Sequence, residues 1–579
     1  MIHTKNLELT YPDQPRAAFT GVSLDVAAGD VLGVVGPMGA GKTSLCMTLA
    51  GLAPRSSGGS SEGELNLVDL DPRDSAITEV ARRVSLVFED YASQLTQITV
   101  VAEVMAPLIN QGTPVAEARL RALQLLDELG LGHLDVEHKR TWELSGGQQQ
   151  RVAIAAALAS DPQVLILDNV TGLLDPAGKE EIRRLAGELS TRMTLAVVED
   201  DVDLLVGIAD QLLVLRDGGV HAHGRADDLL RDVDLLTDAQ VEPPTVAQIA
   251  RAADIGSSPL TVDELTIASR PLEDEVSGDR SGEAASAADT AQPVSAPAVE
   301  IRGADFRYRD GTAAVRDVSM RVAPGQVHAV VGGNGAGKST LLRMLCGLLR
   351  PSTGEVVIGG LDTREHSPAE LARVVGTALQ NPDEQITERT VHEEIAFPLR
   401  QRQFRRSGWF RREKVLSDEH IAEAVDRARS LVGLPSELME NDPTQLSKGH
   451  RKLVAIAAAL ALEPAVLVLD EPRVSLDAPA RAALRHLLHQ LRAQGTAVVL
   501  VEHDLDLVAE TADTITLLDA GRVLTSGSPR EVFGSRGAET LARTSLLPPR
   551  AAQIAGHLGF EAFSVAELAA QLDPVPQEA

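Results

Sequence analysis

Gly332-Gly333-Asn334-Gly335-Ala336-Gly337-Lys338-Ser339 follows the apolar run Val327–Val331, and Gly36-Pro37-Met38-Gly39-Ala40-Gly41-Lys42-Thr43 follows Val31–Val35. Both fit G-x-x-x-x-G-K-[ST] between a strand signal and a helix signal. The pattern carries its own chemistry. Glycines let backbone N–H groups wrap phosphates, the next helix presents its positive end, the Lys reaches the β- and γ-phosphates, and the Ser or Thr hydroxyl serves Mg²⁺. One match can arise by chance. Two, each followed downstream by an apolar strand ending in Asp (Val164–Asp168 and Val466–Asp470), identify a nucleotide-binding chain. Candidate ATP contacts are Gly36, Gly39, Gly41, Lys42, Thr43 and Ser44 in one loop. In the other they are Gly332, Asn334, Gly335, Gly337, Lys338, Ser339 and Thr340. The candidate Mg²⁺ ligands within the loops are Thr43 and Ser339.

The recurrence is an internal duplication of the whole motif order. It reaches the tails. Pro243-Pro244-Thr-Val-Ala-Gln248-Ile249 matches Pro548-Pro549-Arg-Ala-Ala-Gln553-Ile554, and Thr261-Val-Asp-Glu-Leu265 matches Ser564-Val-Ala-Glu-Leu568. These tails set expected domains at 1–268 and 298–579. Between them, 269–297 is rich in Ala, Ser, Asp, Glu and Pro without an aromatic residue, and reads as a flexible acidic linker. Each half alternates strand and helix signals. The short buried runs Val164–Leu167, Leu195–Val198, Val466–Leu469 and Val498–Val501 imply α/β folding, with a mostly parallel sheet and helices on both faces. Residues 101–145 and 391–446 read as helical insertions, a helical subdomain in each half.

Composition narrows the partners. The chain has 579 residues, too many for one core, and a net charge of −29. Such acidity argues against nucleic acid as the main partner, and plain solubility accounts for it as well. Cys46 and Cys346 form neither a scaffold nor a metal site and fit a reducing compartment. The stretch Met1-Ile2-His3-Thr4-Lys5 does not read as a signal peptide. The longest apolar run, Leu453–Leu469, is broken by Glu463 and Pro464. A soluble chain that docks on a membrane partner is expected.

Leu144-Ser145-Gly146-Gly147-Gln148 lies between the first loop and Asp168. With the two loops, the Asp470-Glu471 pair, Gln380, Ser475-Leu476-Asp477 and His503, it resembles the ATPase subunits of ATP-binding-cassette (ABC) proteins. The resemblance covers both halves nearly end to end and implies two P-loop NTPase domains. In that family two cassettes face head to tail, here within one chain, and each ATP lies on the loop of one under the signature of the other. Carried over, it implies that Glu471 is the general base, that Gln380 senses the γ-phosphate and metal, and that His503 bridges γ-phosphate and water. It implies too that Asp470 and Gln380 join Ser339 at the metal, as Asp168 joins Thr43, that Tyr308 stacks on adenine, and that Ser145 and Gly147 close on the γ-phosphate, with Gly146 and Gln148 as further ATP contacts. The other site keeps Tyr11, Lys42, Thr43 and Asp168 but departs from the pattern at three places. Glu89 stands for Gln, Asn169 for Glu and Asp200 for His. Its facing signature, Leu446-Ser447-Lys448-Gly449-His450, is altered as well, with Ser447 retained. The resemblance thus implies one hydrolytic and one mainly structural site; drift in two working sites is the alternative.

Gln380-Asn-Pro-Asp-Glu-Gln385-Ile386, then Thr390-Val-His-Glu-Glu394-Ile-Ala-Phe397, is similar to the ATPase subunits of energy-coupling-factor (ECF) transporters. Glu89-Asp-Tyr-Ala-Ser-Gln94-Leu95 with Thr99-Val100 is a weaker version. That likeness implies a peripheral protein on the cytoplasmic face of the cell membrane. Its partners would be a transmembrane coupling subunit and a substrate-binding membrane subunit, with a vitamin, vitamin precursor or metal ion as cargo. A sugar or peptide importer and a soluble translation-associated ABC ATPase are the rival readings. The Arg- and aromatic-rich stretch 400–414 reads either as a solvated loop or as a surface for a membrane partner or anionic headgroups.

Overall fold

The computed structural model describes residues 1–271, 296–406, 412–544 and 546–575, apart from Asp13, Pro15, Leu173 and Asp175. The chain divides into two compact units, Met1–Gln248 and Ile249–Ala579.

In the first unit the parallel strands run in the order Val84–Val87, Val164–Asp168, Thr194–Val198, Val31–Val35 and Gln211–Arg216, with Gly219–Arg225 added antiparallel to the last of them. An antiparallel layer, Ser60–Leu67, Ile2–Thr10 and Phe19–Val26, continues the same sheet. The second unit repeats the parallel order with Val375–Ala378, Val466–Asp470, Ala497–Glu502, Val327–Val331 and Thr514–Asp519. Every residue of Val31–Val35, Val164–Asp168, Val327–Val331 and Val466–Asp470 is buried. Buried two-sided strands need apolar side chains at consecutive positions, which is why these runs show no alternation. Each phosphate loop leaves the carboxyl end of a strand flanked by parallel neighbours on both sides, where open α/β sheets place their ligands.

Two helices, Val100–Asn110 and Val115–Glu128, follow the expected insertion in the first unit, before the signature helix Gly146–Ala159. The second insertion departs from an all-helical reading. Val391–Arg402 and Asp418–Leu431 are helices, but Phe404–Arg406 and Arg412–Lys414 pair as a short antiparallel ribbon. Residues 407–411, the centre of the basic stretch, lie outside the described residues.

The tail of the first half also departs from expectation. Ile249 onward groups with the second unit, although the duplication had suggested a boundary near 268. The cause is an added strand. Ser269–Pro271, expected to begin the linker, pairs antiparallel with Leu572–Pro574, and helix Val262–Ala268 packs against helix Arg550–Leu558. The rest of the expected linker, 272–295, lies outside the described residues. The tails repeat down to their hydrogen bonds. Gln248 donates to the Pro243 carbonyl at 2.6 Å and Gln553 to the Pro548 carbonyl at 2.7 Å. Asp203 accepts from the Thr245 N–H at 2.9 Å, and Asp506 from the Arg550 N–H at 2.6 Å.

The loops need glycine unequally. Gly337 has φ +100°, and a Cβ there would sit 2.3 Å from the Ala314 carbonyl oxygen, whereas Gly335, at φ +80°, has open space. Gly337→Ala therefore combines a backbone clash with left-handed strain and should cost at least about 2 kcal/mol. Gly335→Asn should cost well under about 1 kcal/mol, since Asn tolerates that region. Urea midpoints of the two variants check this difference.

Candidate nucleotide sites

In the second unit the loop closes on its own lysine. Lys338 Nζ donates to the carbonyls of Gly332 at 2.6 Å and Gly333 at 3.1 Å. A Cβ on Gly332 would lie 2.5 Å from the Leu518 carbonyl oxygen, so the backbone fold that forms this cradle excludes a side chain. The Tyr308 hydroxyl meets Thr340 Oγ1 at 3.0 Å, which fixes the ring beside the loop, and Phe306 supports it edge-on with centroids 5.0 Å apart.

At the end of strand Val466–Asp470 the chain turns into the left-handed region at Glu471, φ 44°. There the three residues expected to do chemistry meet. Gln380 Nε2 donates to Glu471 Oε2 at 2.6 Å, and His503 Nδ1 lies 3.4 Å from Glu471 Oε1. Burial alone would raise the Glu471 carboxyl. The hydrogen bond and charge of His503, with Lys338 and Lys452, overcome it and hold the group below its usual range. It is therefore a carboxylate, as a base must be. His503 shows the reciprocal balance. Burial pulls its ring down, but Glu471, Glu502 and Asp504 raise it overall.

Asp470 is pushed up to about 6, first by burial and then by the charge of Glu471. In the first unit Asp168 is likewise pushed to about 6 by burial, although a hydrogen bond from Thr43 opposes this. A buried carboxylate short of compensating charge, joined to a hydroxyl, forms a hard oxygen donor set of the kind that suits Mg²⁺. The residues fit the ion, with Thr43 and Asp168 on one side of the duplication and Ser339 and Asp470 on the other. Among the described residues no cluster of three or more His, Cys, Asp or Glu side chains could hold a metal by itself, so substrate oxygens would complete the coordination.

The first unit builds the same backbone around different groups. Lys42 Nζ donates to the carbonyls of Gly36 at 2.5 Å and Pro37 at 3.2 Å, and the Tyr11 hydroxyl donates to Ser44 Oγ at 3.1 Å. Asn169 has φ 50°, matching Glu471. Asn169 Nδ2, however, donates to Asp200 Oδ2 at 3.1 Å, and Asp200 Oδ1 pairs with Lys42 Nζ at 3.2 Å. Glu89 lies close enough to Asp168 for its charge to act on that carboxyl.

The signatures differ as well. Ser145 caps helix Gly146–Ala159 through a capping box with Gln148, its Oγ accepting the Gln148 N–H at 3.4 Å. In the second unit the Ser447 hydroxyl also meets the His450 ring, Nδ1 at 2.9 Å, so a side chain new to the motif takes up the hydroxyl.

Lys452 and Gln150 escape motif reading, and the work of Gln385 and Gln94 shows only in their contacts. Lys452, only 2% exposed, donates to the carbonyls of Leu379 at 3.1 Å, Gln380 at 2.6 Å and Asp470 at 3.2 Å. It ties the Gln380 segment to the strand that carries Asp470, and burial lowers its ammonium to about 8. Its counterpart Gln150 hydrogen-bonds the Val170 carbonyl. Gln385 braces the same segment, accepting from the Leu379 N–H at 2.7 Å and donating to the Thr377 carbonyl at 3.0 Å. Gln94 does likewise with Phe88 at 2.9 Å and Leu86 at 3.1 Å. In the sequence Lys452 stands with Lys448 and Arg451 at the start of its helix, so nothing there marks it as the buried one.

The sequence profile of the family described as "ABC transporter" matches residues 19–172 and 315–474. A Methanosarcina acetivorans protein named "Putative ABC transporter ATP-binding protein" is 32% identical over 570 residues, covering 96% of this chain and 90% of its own length. A Streptomyces coelicolor protein of the same description is 32% identical, covering 95% of this chain and 98% of its own. Among solved structures, cbiO1 from Clostridium perfringens, titled as part of the ABC transporter complex cbiONQ, is 30% identical. It covers 42% of this chain and 93% of its own, with a TM-score of 0.37.

Burial raises Glu502 to about 7 from an ordinary 4.5. A carboxyl raised in the folded chain contributes stability below pH 4.5 that is lost as pH rises to about 7. Glu502→Gln removes that titration, so its stability should fall less steeply than the parent's across this window. Urea midpoints at several pH values measure the two slopes.

Proposed function

This chain belongs to the ABC transporter ATP-binding family, and from that premise we propose that it is the energy-coupling ATPase of an ECF-type importer, with hydrolysis at the second half's phosphate loop. The observation that carries the hydrolytic part is the grip on Glu471 by Gln380 and His503, set against Asn169 and Asp200 at the matching places. An amide has no basic lone pair for a water proton, so Asn169 cannot replace Glu471.

In the second half, Lys338 and the loop N–H groups bind the phosphates and orient the γ-phosphoryl group. Mg²⁺, when bound, supplies charge neutralisation on the phosphates, held by Ser339 with Asp470 and Gln380. Glu471 takes a proton from the attacking water at a carboxylate oxygen. His503, beside that oxygen, steadies the base and orients the water. In the family pattern a signature serves the loop of the other cassette, and on that pattern Ser145, Gly146, Gly147 and Gln148 are assigned to the chemistry of this loop. The loop at Lys42, with Ser447 as its signature serine, is the degenerate site, which binds nucleotide without turning it over at a useful rate.

The transport part rests on the stretches after Gln380 and Glu89. Their doubly hydrogen-bonded Gln385 and Gln94 brace equivalent segments in the two halves. In the first unit a cavity of ≈ 350 Å³ opens beside this brace, lined by Leu86, Phe88, Gln94, Leu95, Pro107 and Ala156 among others. Mainly apolar and next to the segment that follows Glu89, it suits a helix of a transmembrane coupling subunit. No helix among the described residues is long and apolar enough to cross a membrane, so the membrane path belongs to partners. Cargo specificity for a vitamin, vitamin precursor or metal ion would lie on those partners.

Glu471→Gln should reduce ATP turnover by about 10²–10⁴-fold, and Asn169→Glu alone should change it little. Ser145→Ala should damage turnover more than Ser447→Ala. Steady-state phosphate release measures all four, and robust turnover by the Glu471→Gln chain overturns the assignment. Purification of the tagged chain from native membranes should bring hydrophobic membrane subunits with it; ribosomes in their place overturn the transport reading.

A further inference from the structure

The ion pair between Lys42 and Asp200 bears on which nucleotide the first loop prefers. A phosphate loop divides its labour. Backbone N–H groups hold the α- and β-phosphates, and the lysine reaches the β- and γ-phosphates. Here Asp200 stands 3.2 Å from the Lys42 ammonium, and its second oxygen is held by Asn169 at 3.1 Å, so the carboxylate is fixed from both sides. The Lys42 and Asp200 side chains are 13% and 14% exposed, so water screens the pair weakly. Asp168 and Glu89 add carboxylates to the same neighbourhood, and the charges of both Glu89 and Asp200 bear on Asp168.

The second half reverses each choice. His503 replaces Asp200 and turns to Glu471, and Lys452 adds a second ammonium behind the strand end. The two loops share a backbone cradle, so the β-phosphate meets the same N–H groups in both. They differ where a γ-phosphate would sit. In the first half, a γ-phosphate must compete with a carboxylate for Lys42 and then remain beside it.

We propose that Asp200 makes the first half's phosphate loop selective for a nucleoside diphosphate, acting as a built-in anionic substitute for the γ-phosphate on Lys42. The loop then holds ADP at least as firmly as ATP, and stays occupied without needing a hydrolytic step. This rests on the reading of the first loop as a nucleotide site, and the test separates the two.

The experiment uses the full chain carrying Lys338→Ala, so that the second loop no longer grips phosphate. Equilibrium dialysis with radiolabelled ADP and ATP at saturating Mg²⁺ gives the ATP-to-ADP affinity ratio. The same chain with Asp200→Asn, and separately Asp200→Ser, repeats the measurement, and thermal melts confirm that each variant is folded. The expected ratio is at or below one with Asp200 in place. Removing the carboxylate should raise it about tenfold, the scale of one weakly screened charge contact. A ratio above one in the Lys338→Ala chain, or a rise of less than about threefold in the folded Asp200 variants, overturns the selectivity while leaving the nucleotide site intact. Failure of the Lys338→Ala chain to bind either nucleotide, when the parent binds, overturns the nucleotide reading of the first loop and the inference with it.

Discussion

A buried carboxylate must be held ionised beside a second buried carboxylate, and the second half is arranged around that constraint. Asp470 and Glu471 are adjacent at one strand end, both largely out of water. Burial raises carboxyl groups, and like charges raise them further. The chain answers with cations. His503 and Lys338 act on Glu471, while Lys452 acts on both acids from behind. The burden is uneven, because Asp470 stays near 6 while Glu471 falls below its usual range. Of the pair, the residue nearest His503 is the one kept as a base.

Where His503 and Lys452 have no cationic counterpart, the same backbone supports different chemistry. Asn169 adopts the left-handed turn that Glu471 adopts, so the geometry of the strand end does not depend on the residue that occupies it. What changes is charge. An amide replaces a carboxylate, a carboxylate replaces an imidazole, and a buried glutamine replaces Lys452. The acids preceding these positions, Glu199 and Glu502, are both fully buried and pushed to about 8 and about 7. Glu199 accepts from the Thr171 hydroxyl at 2.8 Å through one oxygen; Glu502 accepts the Arg473 N–H at 3.3 Å. Both halves therefore keep a buried acid, raised well above its ordinary range, under the site, a shared structural element beneath divergent surfaces.

Much of this was legible in the sequence, for identifiable reasons. Phosphate loops leave a strict spacing of Gly and Lys because the backbone must approach the ligand, and buried parallel strands leave unbroken Val-Leu runs. The meeting of Gln380, Glu471 and His503 was what the family resemblance implied. Other parts left no such trace. Lys452 follows Lys448 and Arg451 in a helix that begins with cations, and only its three carbonyl partners reveal its work. The Ser269–Pro271 pairing with Leu572–Pro574 uses three-residue strands, too short for periodicity to register. The Phe404–Lys414 region mixes Arg with aromatic residues in a helix-rich context, so its ribbon was hidden. The Lys42–Asp200 pair joins residues far apart in sequence, and substitution of a His by an Asp announced a loss without revealing the contact that replaced it.

The central claim is that two loops with one backbone do unequal chemistry. Vanadate trapping tests it most directly. The full chain turns over a radiolabelled photoreactive ATP analogue with Mg²⁺ and vanadate, and the trapped nucleotide is counted and mapped after crosslinking. The account predicts at most one vanadate-dependent nucleotide per chain, crosslinked to the peptide that contains Lys338. Equal vanadate-dependent labelling of the peptides containing Lys42 and Lys338 would contradict it.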